Sequence, residues 1–122
     1  MINELAQEIH QNNKSKGFYE DKKNIGEMLA LIHSEVSEAL ECDRKEKECS
    51  NETAQDIAII DDNDAFKMAF GLHVKDTFSA ELADIMIRVM DLAAYKGINL
   101  ELFINAVMRN NSLREYKHGK KY

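Results

Sequence analysis

Apolar residues recur every three to four positions over four stretches of this chain, and each stretch predicts an amphipathic helix. The first covers about residues 2–13, with Ile2, Leu5, Ala6 and Ile9 on one face. A polar loop, NKSKGFYEDKKN, follows and contains Gly17. Asn24 suits the N-cap of a second helix over about residues 25–42, and Glu27 completes a capping-box-like pattern. Its apolar stripe is Ile25, Met28, Leu29, Ile32, Val36, Ala39 and Leu40. A third helix is predicted over about residues 78–96, capped by Asp76 or Thr77 and stopped at Gly97. Asn99 caps a fourth, from about Leu100 to Asn111 or beyond, with Leu100, Phe103, Ile104, Val107 and Met108 as its buried face. A connection as short as residues 96–99 favours antiparallel neighbours, so the expected fold class is all-α, a small helical bundle.

The stretch between the second and third helices is harder to read. Residues 43–53 are charged and polar and expected to be exposed. Residues 54–60 fit a helix turn or a short strand, and residues 65–72 a short helix stopped near Gly71. Asp61, Asp62 and Asp64 lack the glycine and terminal glutamate of an EF-hand and read as a turn.

Composition narrows the class. The chain has 122 residues, 44% hydrophobic and 31% charged, with no proline. That is enough for one domain with a core, leaning strongly to helix. Nothing resembles a signal peptide or a membrane span, so a cytoplasmic protein is expected. Cys42 and Cys49 have no companion ligands at zinc-finger spacing and read as free thiols of a reducing compartment. The net charge of −6 argues against a generic binder of nucleic-acid backbone. The end of the chain, REYKHGKKY, runs against that balance with Arg114, Lys117, Lys120 and Lys121. It suits either a small polyanion or a solvated tail.

Two acidic pairs carry the chemistry: Glu35-x-x-Glu38 on the second helix and Glu81-x-x-Asp84 on the third. Residues three apart on a helix share nearly one face. Two packed helices can therefore aim four carboxylates at one point, a set of hard oxygen donors suited to a divalent cation such as magnesium. The third helix is apolar on both flanks of a narrow polar stripe made of Glu81, Asp84, Arg88, Asp91 and Tyr95. In so small a chain the second flank is expected to pack on another subunit. The stripe itself has two readings. It is the helix's wet face, with Arg88 bridging Asp84 and Asp91, or it lines a cleft that holds metal. Glu35 and Glu38 are the acids of the second helix nearest its packing surface, where an unpaired carboxylate is costly and a cation relieves the cost. His10, His33 and His73 show no convincing partners. Phe18 and Tyr19 suit a hydrophobic anchor beside a helix start or stacking on a base.

GEMLALIHSEVSEALE, followed by KDTFSAELADIMIRVMDLAAYKGINLE, resembles the MazG-like nucleoside triphosphate pyrophosphohydrolases, whose signature is an ExxE pair on one helix and an ExxD pair on a later one. The resemblance takes in Gly17-Phe18-Tyr19, Asn111-x-x-Arg114 and the basic ending, and leaves out residues 43–74. It implies a single MazG-like domain over residues 1–122 with a variable loop insertion at about 43–74. It implies a four-helix bundle completed by dimerisation, as a homodimer or a dimer of dimers. The implied activity converts a (deoxy)nucleoside triphosphate to monophosphate and pyrophosphate by water attack at the α-phosphate, with Mg2+ as cofactor and Mn2+ as a substitute. Glu35, Glu38, Glu81 and Asp84 match the metal-binding acids, and Glu38 is the candidate general base. Asn111, Arg114, Lys117 and Lys120 match the stretch expected near the phosphates, and Arg88 can add fixed positive charge there. The chain departs from the pattern in the length of 43–74 and in Glu115 after Arg114, which bear on substrate choice.

Two rivals stand beside this reading. A ferritin-like di-iron protein needs Glu-x-x-His on two helices, whereas Glu35 and Glu81 are followed at +3 by Glu38 and Asp84. A non-catalytic helical dimerisation or adaptor module would use the acidic pairs only as surface charge.

Overall fold

The computed structural model describes residues 1–114. Among these it contains six helices and no strand: α1 (Ile2–Ser15), α2 (Ile25–Arg44), α3 (Asn51–Ala58), α4 (Asn63–His73), α5 (Phe78–Tyr95) and α6 (Leu100–Ser112). The all-α expectation therefore holds, with two helices more than the four read as long amphipathic stretches. The described residues form two compact units, one of residues 1–21 and 90–114, the other Lys22–Val89. Helix α5 contributes to both.

In the first unit, the N-termini of α1 and α6 cap each other. Glu101 Oε1 accepts from the Ile2 amide at 2.8 Å, Asn3 Oδ1 accepts from the Glu101 amide at 3.2 Å, and Asn99 Oδ1 accepts from both Leu102 N and Asn3 Nδ2. These bonds satisfy amides that a helix start otherwise leaves orphaned. The Asn99 cap was legible locally; the reciprocal part played by Asn3 and Glu101 was not. Both α1 and α5 end on a glycine in the left-handed region, Gly17 (φ 86°) and Gly97 (φ 68°). Beyond Gly97, the Ile98 amide bonds back to Ala93 at 2.8 Å, closing a Schellman turn.

In the second unit, Asn24 caps α2 by accepting from the Glu27 amide, and α2 runs two residues past Cys42. Its end is also a Schellman turn, with Lys47 N bonded to Cys42 O at 2.9 Å and Glu46 N to Asp43 O at 3.1 Å. Here the left-handed position is Glu46, at φ 56°. A non-glycine residue is strained there, so Glu46→Gly should raise the unfolding free energy by about 1 kcal/mol in urea denaturation. The Phe78 amide donates to the Lys47 carbonyl at 2.9 Å. This bond sets the start of α5 beside the end of α2, so the two run antiparallel and bring Arg88 opposite Glu35.

Between them, residues 54–60 belong mostly to helix α3, which begins earlier at Asn51 because Ser50 Oγ accepts from Thr53 N. Helix α4 begins at Asn63, two residues earlier than expected because Asp62 caps it, and ends at His73, one residue past the expected Leu72. A helical glycine such as Gly71 costs only about 1 kcal/mol, and the Phe66 and Phe70 rings, 5.9 Å apart, hold the last turns together. Residues 43–74 are thus largely helical, with α3 packed on α4.

Burial is sparse. The buried apolar residues are Ala6, Ala39, Cys42, Ile57, Met90 and Ala93. Leu29, Val36 and Leu40 of the predicted α2 stripe stand about half exposed, as do Leu82, Met86 and Ile87 on α5. Among the described residues, the face of α6 expected to be buried is only partly covered: Leu100 and Ile104 are half-buried, and Phe103, Val107 and Met108 are exposed.

Candidate metal centre

Helices α2 and α5 place Glu35, Glu38 and Glu81 so that one carboxylate oxygen of each lies within 4.8 Å of the other two. Two oxygens opposite each other across a magnesium ion are about 4.2 Å apart, at a bond length near 2.1 Å. Adjacent oxygens around such an ion are closer still, about 3.0 Å apart, so the three carboxylates are near enough to ligate one ion after they draw together. Glu81 is only 4% exposed and Glu35 only 9%, whereas Glu38 is open to solvent. Glu35 Oε2 and Glu81 Oε2 are both fully buried and have no hydrogen-bond donor other than a protonated neighbour within the trio.

A carboxylate oxygen sealed from water without a donor costs a few kcal/mol. Two of them aimed into one acidic cluster fit the donor set of a hard divalent cation.

Electrostatics show how the trio holds together without one. Burial first, then the neighbouring Glu35 and Glu38, push the Glu81 carboxyl up to about 7. Burial also pushes Glu35 upward, but hydrogen bonds to Arg88, Glu81 and Glu38 outweigh it and hold that carboxyl below the ordinary glutamate value. Glu81 is thus the carboxyl of the three that holds a proton most readily.

Asp84 does not join the three. It lies one turn further along α5 on the exposed rim. Desolvation by its surroundings and the Glu35 charge raise its carboxyl, with Arg88 opposing. Arg88 donates from Nε to Glu35 Oε1 at 2.9 Å, so its ion pair crosses to α2 instead of bridging Asp84 and Asp91 along its own helix. Cys42 is a buried free thiol whose Sγ donates to the Asp76 carbonyl at 3.3 Å. Burial and the Glu81 charge raise its pKa, which keeps it protonated and inert.

The polar stripe of α5 is not a solvated face. Glu81 and Asp91 are buried, Arg88 and Tyr95 are half-buried, and only Asp84 is exposed.

In the first unit, Asp91 accepts from Tyr19 Oη at 2.5 Å and meets His10 Nδ1 at 2.9 Å. Tyr19 stacks on Tyr95 at 5.0 Å, and His10 meets Tyr19 edge-on at 4.6 Å. His10 thus has the partner that its sequence neighbourhood did not suggest. The available signal was the continuation of the α5 polar stripe through Asp91 and Tyr95. Burial and the bond to Asp91 push the Tyr19 hydroxyl upward, keeping it a donor. Tyr19→Phe would leave a buried Asp91 oxygen without that donor and should cost about 2 kcal/mol, read as a lower midpoint in urea.

Asn111 lies exposed in the last turn of α6, and Arg114 is exposed just beyond it. Lys117 and Lys120 lie outside the described residues.

No protein-family model matches the chain, and no curated protein or solved structure is significantly similar to it. Among the described residues, no helix is long and apolar enough to cross a membrane.

Proposed function

We propose that this protein is a magnesium-dependent nucleoside triphosphate pyrophosphohydrolase of the MazG-like kind, consuming one water and releasing a (deoxy)nucleoside monophosphate and pyrophosphate. The observation that carries the reading is the convergence of Glu35, Glu38 and Glu81, with buried oxygens on Glu35 and Glu81 that have no donor outside the trio. The ExxE and ExxD motifs on antiparallel α2 and α5 support it, because they resemble that family's metal-binding acids.

In this reading Glu35, Glu38 and Glu81 hold the cation, with Asp84 approaching from the rim. Magnesium, or manganese in its place, neutralises triphosphate oxygens and lowers the pKa of a water when bound there. Glu38 is the exposed member of the trio and is placed to take a proton from water entering from solvent. Burial of Glu35 and Glu81 keeps the rest of the site dry, which strengthens every charge interaction within it. The resemblance assigns further phosphate contacts to Asn111, Arg114, Lys117 and Lys120.

The reading includes a homodimer or dimer of dimers in the cytoplasm. Leu29, Val36 and Leu40 on α2, Leu82, Met86 and Ile87 on α5, and Leu102, Phe103, Val107 and Met108 on α6 are large apolar side chains exposed on the single chain. A second copy is the occupant proposed for these faces. The same exposed faces are what favour the alternative, a non-catalytic dimerisation or adaptor module.

Pyrophosphate release from a panel of ribo- and deoxyribonucleoside triphosphates, with Mg2+ and with EDTA, separates the two. Metal-dependent release with monophosphate as co-product is expected. A folded, dimeric protein that hydrolyses nothing in the panel and binds no Mg2+ would favour the adaptor.

A further inference from the structure

Arg88 bonds Glu35 through Nε, not through either terminal nitrogen. The bond takes one oxygen of the carboxylate, Oε1. The other, Oε2, is buried and has no donor outside the carboxyls of the trio. Glu35 is thus gripped through one oxygen while the second stays buried and open to a cation. The arginine side chain is 40% exposed and that of Glu35 11%, so the guanidinium straddles the boundary between the dry trio and solvent. Asp84, on the same rim, feels the Arg88 charge.

A guanidinium presents five donors in a planar fork, and only the Nε–H is used by Glu35. We propose that Arg88 has a divided role. Its Nε is the positioning donor that fixes Glu35 Oε2 toward a bound divalent cation, and its terminal nitrogens supply the fixed charge that meets triphosphate oxygens. This deepens the metal-centre reading and rests on it. Arg88 acts on the cation only through Glu35, as residues behind metal ligands do when they set ligand orientation.

The position of the bonding atom suggests how to separate the roles. Glutamine carries its amide nitrogen the same number of bonds from Cα as arginine carries Nε. Arg88→Gln therefore keeps a donor at the position that grips Glu35 while removing the charge and the terminal nitrogens. Arg88→Met removes all donors at similar girth. Arg88→Lys keeps the charge but has a methylene where Nε was.

The experiment is Mg2+ binding by calorimetry on the unmodified protein and the three variants, without nucleotide. Helical content and the urea midpoint are measured alongside. Expected is a loss of Mg2+ affinity of about 10–100-fold in Arg88→Met, with Arg88→Gln within about threefold of the unmodified protein. Arg88→Lys should fall with the methionine variant and stands in for it should that variant not fold. In nucleotide hydrolysis, Arg88→Gln should then show a raised KM and lowered kcat despite normal metal binding, because the terminal nitrogens are gone.

Unchanged or tighter Mg2+ binding in Arg88→Met would overturn the positioning role and make Arg88 only a competing counter-charge. Equal loss in Arg88→Gln and Arg88→Met would also overturn it, since charge and not the Nε donor would then govern affinity. Normal hydrolysis kinetics in Arg88→Gln would overturn the phosphate half. No Mg2+ binding by the unmodified protein would instead remove the metal centre itself, a failure distinct from these three.

Discussion

Glu81→Gln should abolish both Mg2+ binding and hydrolysis while making the metal-free protein more stable at pH 8. The two effects have one cause. Glu81 is 4% exposed, sits against two other carboxylates and has a buried oxygen without a donor outside the trio. As an anion it is tolerable only with a cation. As a neutral amide of the same shape it no longer repels Glu35 and Glu38, and it can donate to them. Loss of a ligand that anchors several kcal/mol of charge stabilisation corresponds to a fall in turnover on the order of 10³-fold or more. Glu38→Gln and Asp84→Asn should also lose activity with helical content intact. Their stability gain should be smaller, because both side chains are more exposed than that of Glu81. Retained turnover in all three variants would remove the carboxylate site from the mechanism. A Glu81→Gln protein less stable than the parent at pH 8 would mean that the trio is a structural network and not a cation cradle.

The second large effect is in pH. The Glu81 carboxyl is raised in the folded chain from 4.5 to about 7 by burial and then by its two acidic neighbours. A carboxyl that binds its proton more tightly when folded stabilises the fold below its unfolded value, and this contribution is lost as pH rises through the folded value. Metal-free protein should therefore lose stability between about pH 4.5 and 7, by about 3 kcal/mol. The Glu35 shift is downward, so its opposing contribution changes near or below the ordinary glutamate value. Asp84, raised by desolvation and then by Glu35, adds to the loss in the same direction. Mg2+ takes the place of the proton. It should restore the loss at pH 8 and have little effect at pH 5, where the proton competes. Urea unfolding at pH 5, 6, 7 and 8, with Mg2+ and with EDTA, reads this directly. A flat metal-free profile, or an equal Mg2+ effect at pH 5 and pH 8, would contradict it.

What the sequence revealed follows the range of the forces involved. Caps are local, so Asn24, Asn99 and the stop at Gly97 could be read from a few neighbouring residues, and the long helices followed from their apolar period. Helix α3 was ambiguous because residues 54–60 are a short apolar run that fits either period, and its Ser50 cap lies in a stretch dominated by charge. The end of α4 near Gly71 was legible; its start was placed late because Asp62, its cap, was read as part of a turn. The convergence of the two acidic pairs was legible as spacing on two helices. Its asymmetry was not: that Asp84 stays on the rim while Glu81 is sealed depends on the antiparallel register fixed by the Phe78–Lys47 backbone bond. Partners distant in sequence were the main omission. Arg88 reaches Glu35 across 53 positions and His10 reaches Asp91 across 81, and nothing local marks either pair. The α6 face was read as core from its period, whereas a period reports only that a face seeks cover, not which chain supplies it.

The most direct measurement is a crystal of the protein equilibrated with Mn2+, with data collected at the manganese absorption edge. A single anomalous peak among the carboxylates of Glu35, Glu38 and Glu81, with Glu35 Oε2 and Glu81 Oε2 turned to it, is the expected result. Manganese found only elsewhere, or a trio that remains closed on the Glu81 proton at pH 8 in millimolar Mn2+, would contradict the metal centre and the hydrolase reading built on it.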